Sequence, residues 1–116
     1  MLEWEGQRDG AFWMSGDTVY YRGVAEVGER FDIGTALIHI GGVRFAISGP
    51  ARYTMNAAEA ARVASEFDLK TLLPLHYEGW KHVREGRADA ERAFADAGVA
   101  DRVRWLTAGA AEAVEV

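Results

Sequence analysis

The sequence predicts an α/β fold in which helices cover one face of a mixed β-sheet. Residues 33–40 are almost continuously apolar, which is typical of a buried strand in a sheet that helices cover. Asn56 begins the clearest helix, because Glu59 three residues later completes a capping-box pattern ahead of an apolar stripe. Strand and helix signals alternate along the rest of the chain, which is the pattern of layered α/β proteins.

The remaining elements are assigned from short apolar runs and from glycine and proline. Further strands are expected at residues 11–15, 70–75, 103–106 and 113–116, and residues 18–21 also favour β-structure. Helices are expected at residues 23–30 and 88–97, the second followed by Gly98 as its C′ residue. Pro74 implies that strand 70–75 lies at an edge of the sheet, or that the proline stands near the strand's end.

Length and composition exclude several classes of function. With 116 residues the chain forms one domain at most, and we expect a single, partial domain over residues 1–116. A net charge of −5 argues against a nucleic-acid partner, which requires a concentrated basic surface. No run approaches the roughly 20 apolar residues needed to cross a bilayer, so no membrane partner is expected. The absence of cysteine excludes disulfides and thiolate ligands and favours a cytoplasmic protein.

Two polar clusters directly follow expected strands, SGDT beginning at Ser15 and HYEGW beginning at His76. Ligands of open α/β sheets bind outside the carboxyl ends of the strands, so both clusters stand where a site would form. A carboxylate from Asp17 and an imidazole from His76 are suitable ligands for a divalent metal such as zinc. From spacing alone, Asp17 is equally compatible with a local Asx turn and His76 with a hydrogen-bonded packing residue.

The order of the motifs adds a resemblance to a known family. The strings FWMSGDTVYYRG, IGG, RYTMNAAEAARV and LLPLHYEGW together resemble the C-terminal half of metallo-β-lactamase-superfamily hydrolases. The branch that looks most similar includes sugar-phosphate lactonases and N-acyl-phospholipid phosphodiesterases. The resemblance covers about residues 12–106 and implies half of a four-layer αββα sandwich.

The resemblance also implies chemistry. In this family the aspartate of the SGDT element bridges two metal ions and the later histidine binds the second, which would make Asp17 and His76 metal ligands. The metal would be zinc, or else manganese or iron, and an activated water would attack an ester, lactone or phosphoester of a small molecule. Tyr77 and Trp80 would then line the substrate pocket, although both are equally compatible with packing.

The sequence departs from the family in one important respect. The His-x-His-x-Asp-His signature is absent, and the only histidines are His39, His76 and His82. His39 lies within the apolar run and is interpreted as a packing residue, and His82 as a solvated surface residue. Since catalytic zinc usually has three protein ligands, we expect this chain alone to bind metal weakly and to hydrolyse little.

Two hypotheses therefore remain open. In the first, a complementary half-domain supplies the missing histidines, and together the two halves form a hydrolase. In the second, another copy of the chain covers the exposed apolar sheet face, and the resulting homodimer is a non-catalytic metal-binding or structural remnant. A Ser15–His76–Asp17 hydrolase is disfavoured, because Ser15 stands two residues from Asp17 and there is no G-x-S-x-G element.

Overall fold

A three-stranded parallel sheet forms the centre of the computed structural model, which describes all of residues 1–116. The strands are β1 (Ala11–Met14), β2 (Ile33–His39) and β3 (Thr71–Leu75), and they lie in the order β1-β2-β3. β1 pairs with β2 and β2 with β3, both in parallel orientation. The only antiparallel contact is a single bridge, outside the named strands, between Leu2 and Phe12. The apolar run at 33–40 is thus the central strand, which accounts for its nearly continuous burial.

Three helices accompany the sheet: α1 (Arg22–Arg30), α2 (Ala57–Glu66) and α3 (Arg87–Asp96). The predicted capping box of α2 is present, since the Asn56 side chain accepts from the Glu59 N–H at 2.8 Å and the Glu59 carboxylate accepts from the Asn56 N–H at 3.1 Å. Gly98 follows α3 with a φ of +69°, the left-handed conformation that glycine adopts at C′. The sequence therefore located all three helices to within about a residue at their starts.

Three of the strand predictions were wrong. Residues 18–21 precede α1 without forming a strand, and the Tyr21 carbonyl accepts from the Val24 and Ala25 amides of the helix. Residues 103–106 make only a single bridge, from Val103 to Leu72. Residues 113–116 form no strand, and the Val116 carbonyl instead accepts from the Arg8 amide. In each segment the local apolar composition resembles that of a strand, but no continuous pairing with another strand forms.

One face of the sheet packs against the helices to form the core. Trp13, Ala36, Ile38 and Leu72 project from this face and join buried residues of all three helices in one cluster. Trp13 contacts Phe67 at the end of α2, with 5.4 Å between ring centroids. Because side chains alternate along a strand, this arrangement leaves the intervening positions on the opposite face.

The opposite face is apolar and only partly covered. Phe12, Leu37 and Leu75 are half-buried there, and Met14 is 49% exposed. Pro74 lies on β3, an edge strand, one residue before the strand ends. This agrees with the prediction from the sequence, because proline has no N–H to donate to a further strand. None of the helices has the length and apolar character that crossing a membrane requires.

Candidate functional site

The carboxyl ends of the three strands bring the two polar clusters together. His39 at the end of β2 pairs in register with Leu75 of β3, so His39 and His76 stand side by side at one edge of the sheet. On the other side, the Ser15 amide extends the pairing of β1 by donating to the Leu37 carbonyl at 3.0 Å. Parallel pairing thus places Asp17, His39 and His76 at a single edge.

Ser15 connects the ends of β1 and β2. Its hydroxyl accepts from the His39 amide at 3.0 Å and donates to the Gly16 carbonyl at 2.9 Å. These backbone bonds direct the Ser15 hydroxyl away from the role of a nucleophile activated by His76, in agreement with the sequence argument against a serine hydrolase. Ser15 therefore acts as a positioning residue for the neighbouring loop.

His39 and His76 form the centre of this edge. Their ring centroids lie 6.0 Å apart, and the Nδ1 atoms of both rings are buried without a hydrogen-bond partner. Burial lowers the pKa of His39, while the nearby carboxylate of Asp17 raises it and His76 lowers it further. Buried ring nitrogens normally have a partner, so two adjacent unsatisfied imidazoles are a feature of ligand-binding sites.

His76 has an unusual backbone conformation. Its φ is +65°, in the left-handed region that few residues other than glycine occupy. Such a conformation persists only when its surroundings hold it there, and it is concentrated at functional sites. The turn that it creates directs the chain from β3 into the loop that contains Trp80.

A cavity of about 350 Å³ opens beside His76. Asp17 and His76 both line it, so the two predicted ligands reach the same space. Trp80 also lines the cavity and is 67% exposed. The remaining wall is contributed by Val43, Phe45, Tyr53, Thr54 and His82.

Tyr77 does not line this cavity. It is only 7% exposed and belongs to the core, where its ring packs edge-on against Trp105 at 5.0 Å. Burial raises the pKa of its hydroxyl. Because the left-handed turn at His76 reverses the side-chain alternation, Tyr77 points inward, and the packing interpretation describes it better than the pocket interpretation.

The two other histidines also differ from their sequence interpretation. His39 stands at the end of β2 beside His76, whereas the apolar run suggested a packing residue. His82 is half-buried and packs against Phe45 with tilted rings whose centroids lie 4.4 Å apart, whereas a solvated residue was expected. Strand register would have revealed His39, because it pairs with the residue just before His76.

The chemistry of the donors fits part of a metal site. Imidazole nitrogen and carboxylate oxygen are the ligands that zinc accepts, and the two unsatisfied Nδ1 atoms are what a bound cation would satisfy. No three histidine, aspartate or glutamate side chains converge closely enough to enclose a metal ion completely. Asp17 and His76 thus bring two suitable donor types to one cavity, and His39 stands beside His76.

The sequence is similar to archaeal proteins named UPF0173 metal-dependent hydrolases. It is 31% identical to one from Pyrobaculum arsenaticum over 81 residues, which cover 70% of this chain and 32% of the relative. It is 28% identical to another, NEQ378 from Nanoarchaeum equitans, over 73% of this chain and 35% of the relative. The chain therefore spans about a third of the length of these curated relatives. No family model matches it.

Two solved structures share the fold. An isothiocyanate hydrolase from Delia radicum gut bacteria superposes with a TM-score of 0.77 at 18% identity, over 93% of this chain and 41% of that one. Igni18, a metallo hydrolase from Ignicoccus hospitalis, superposes with a TM-score of 0.58 at 24% identity, over 78% and 35% of the two chains. Both are much longer than the region that they share with this protein.

The fold is shared with part of these two hydrolases, and together with the sequence similarity to metal-dependent hydrolases it supports the resemblance to the metallo-β-lactamase-type superfamily. Within that superfamily the sequence relatives are metal-dependent hydrolases. The comparisons support the resemblance deduced from the SGDT and PLHYEGW elements, and the α/β fold of three strands and three helices is consistent with half of the sandwich that it implied.

Proposed function

We propose that this chain supplies the Asp17 and His76 ligands of the metal centre of a hydrolase that cleaves an ester, lactone or phosphoester. The observation that carries the proposal is that both side chains reach one cavity at the carboxyl edge of the parallel sheet. The unpartnered, buried Nδ1 atom of His76 and its left-handed backbone support it further. The names of the sequence relatives agree with a metal-dependent reaction.

Each residue of the site has a role in this proposal. Asp17, at the exposed tip of its loop, offers two carboxylate oxygens and can bridge two cations. His76 offers a neutral ring nitrogen, and Trp80 provides an apolar wall for the substrate. A bound zinc, manganese or iron ion would supply Lewis acidity and an activated water.

The remaining ligands would come from outside the described residues, through the partly covered sheet face. In the first arrangement a complementary half-domain packs against Phe12, Met14, Leu37 and Leu75 and brings the missing histidines. Burying such an apolar surface is favourable by about 25 cal/mol per Å², so this face is suited to a stable partner. In that arrangement a small molecule is the substrate and catalysis requires both halves.

Calorimetric titration with zinc tests the ligand assignment. Wild-type protein should bind zinc saturably, and Asp17→Asn and His76→Ala should each weaken binding at least tenfold, about 1.4 kcal/mol. Asp32→Asn is the matched control, because Asp32 is exposed and lies at the opposite, amino-terminal end of β2. If Asp17→Asn binds zinc as tightly as the wild type, the assignment of Asp17 is wrong.

The alternative function is a homodimeric, non-catalytic metal-binding or structural protein. The observation in its favour is the apolar sheet face itself, which a second copy related by a two-fold axis can cover. Sedimentation of the purified chain with Met14→Lys separates the two hypotheses. A wild-type dimer that the lysine dissociates would support the homodimer, whereas a wild-type monomer would favour the complementary half-domain.

A further inference from the structure

A second and larger cavity, of about 730 Å³, lies next to the first. Phe45 lines both cavities, which therefore adjoin at its side chain. Three arginines line the larger one, Arg44, Arg52 and Arg84, against a single carboxylate, that of Glu85. In a chain whose net charge is −5, this is a local concentration of positive charge.

Two of these arginines have no internal counter-ion. Every arginine of the chain takes part in an ion pair except Arg30, Arg44 and Arg84. Two of those three guanidinium groups therefore line the same cavity. On the exposed faces of α1 and α3, by contrast, arginines form ion pairs with carboxylates one helical turn away.

Backbone hydrogen bonds join the two segments that carry Arg44 and Arg84. The Arg44 amide donates to the His82 carbonyl at 3.2 Å, and the Arg84 amide donates to the Gly41 carbonyl at 2.8 Å. The segment that carries Arg44 is anchored on its other side, where the Gly42 amide donates to the Met55 carbonyl at 3.0 Å. Both guanidinium groups therefore extend from a hydrogen-bonded framework, which reduces the entropy lost when they bind a ligand.

The other charged residues of the cavity are already satisfied. Arg52 forms a bidentate ion pair with Glu59, and both side chains are mostly buried. Glu85 accepts from the Ala57 amide at 2.8 Å, so its carboxylate occupies the amino terminus of α2. An incoming anion would therefore be bound by the free donors of Arg44 and Arg84 and not by the helix terminus.

We infer that Arg44 and Arg84 bind a small oxyanion, a phosphate or a carboxylate, that belongs to the substrate of the neighbouring site. This inference rests on the proposed function, because the two cavities meet at Phe45, so that a substrate whose anionic group lies in the larger cavity can extend towards Asp17 and His76. Guanidinium groups suit this role, since they remain charged at all physiological pH values and donate paired N–H bonds to oxyanions. The substrate class is thus an anionic ester, lactone or phosphoester.

The test uses metal-free protein, so that its result does not depend on the metal site. Backbone amide shifts are followed by NMR while inorganic phosphate is added in one series and acetate in another. The variants are Arg44→Gln, Arg84→Gln and the double substitution, and Arg30→Gln is the control because that arginine is equally unpaired but lies on α1. Thermal unfolding checks that each variant is folded.

Wild-type protein should show saturable shifts around the larger cavity with at least one anion. Each single substitution should weaken that binding about tenfold, the double substitution more, and Arg30→Gln not at all. Tighter phosphate binding assigns a phosphorylated substrate, and equal or tighter acetate binding assigns a carboxylate. Absence of saturable binding by either anion, or an equal loss in Arg30→Gln, would overturn the inference. Asp17→Asn should retain the binding, so failure of the metal site is distinguishable from failure of this one.

Discussion

The imidazole rings of His39 and His76 lie side by side at the ends of neighbouring parallel strands, with their centroids 6.0 Å apart. Both Nδ1 atoms are buried and have no hydrogen-bond partner. A buried polar atom without a partner costs about 1–3 kcal/mol, so the pair is maintained against a free-energy penalty. A bound cation would remove that penalty, and this relationship connects the stability of the protein to its proposed function.

Replacing His39 should therefore affect the metal-free and zinc-loaded protein differently. In His39→Leu, removal of the unpaired nitrogen should leave the free energy of unfolding of metal-free protein unchanged or raise it by up to about 1 kcal/mol. The stabilisation that zinc gives to the wild type should shrink in this variant, because a ring beside the ligand set is lost. Urea unfolding with and without zinc measures both quantities. Asp32→Asn, at the opposite end of β2, is the control and should keep the wild-type response to zinc. If His39→Leu also keeps that response, His39 takes no part in zinc binding.

The capping box of α2 should contribute measurably to stability. Asn56→Ala removes the acceptor for the Glu59 amide, and we expect the free energy of unfolding to fall by about 1 kcal/mol. Asn56→Ser keeps an acceptor oxygen and should retain most of the stability. Chemical denaturation of the three proteins measures the difference. Equal stability of Asn56→Ala and the wild type would mean that water replaces the cap without cost.

Two isoleucines provide a matched test of the core. Ile38 is 0% exposed on the face of β2 that packs against the helices, whereas Ile47 is 98% exposed in a short 3₁₀ turn. Ile38→Ala should lower the free energy of unfolding by about 2–5 kcal/mol, because it leaves a cavity. Ile47→Ala should change it by less than about 0.5 kcal/mol. Similar effects at the two positions would contradict the placement of the core.

The contact between Tyr20 and Glu66 should make stability depend on acid pH. The Tyr20 hydroxyl donates to the Glu66 carboxylate at 2.5 Å, and this bond, helped by Arg62, lowers the pKa of Glu66. A carboxyl with a lowered folded-state pKa stabilises the protein above its unfolded pKa, and the stabilisation is lost as the pH falls through the folded value. Thermal unfolding between about pH 6 and about pH 3 should show a smaller acid-induced loss in Tyr20→Phe than in the wild type. If the stability of Tyr20→Phe and of the wild type falls equally with pH, the Tyr20–Glu66 contact makes no contribution to the acid dependence.

The sequence predicted the elements that depend on local patterns. The capping box at Asn56, the left-handed glycine at Gly98 and the apolar central strand are each specified within a few residues, and all three are present. What local patterns do not specify is pairing between distant segments. The composition of residues 103–106 and 113–116 favours β-structure, but the first segment makes only one bridge to β3 and the second forms no strand pairing.

Only the part of the candidate site that depends on local sequence patterns could be predicted. Asp17 and His76 follow strands in a motif that can be read directly from the sequence. His39 was interpreted as a packing residue, because its proximity to His76, 37 residues later in the sequence, arises only from the register of β2 and β3. Tyr77 was placed in the pocket because the left-handed turn at His76, which directs it into the core, is not encoded by glycine.

The most direct test of the central claim is an NMR measurement of the histidine ring nitrogens while zinc is added. The three histidines, His39, His76 and His82, give separate signals that report directly on ligation. The proposed site predicts that a ring nitrogen of His76 shifts on zinc binding, that His39 beside it responds as well, and that Asp17→Asn abolishes both changes. If the His76 signals do not change, or if they change equally in Asp17→Asn, the edge of the sheet formed by Asp17, His39 and His76 is not a metal site.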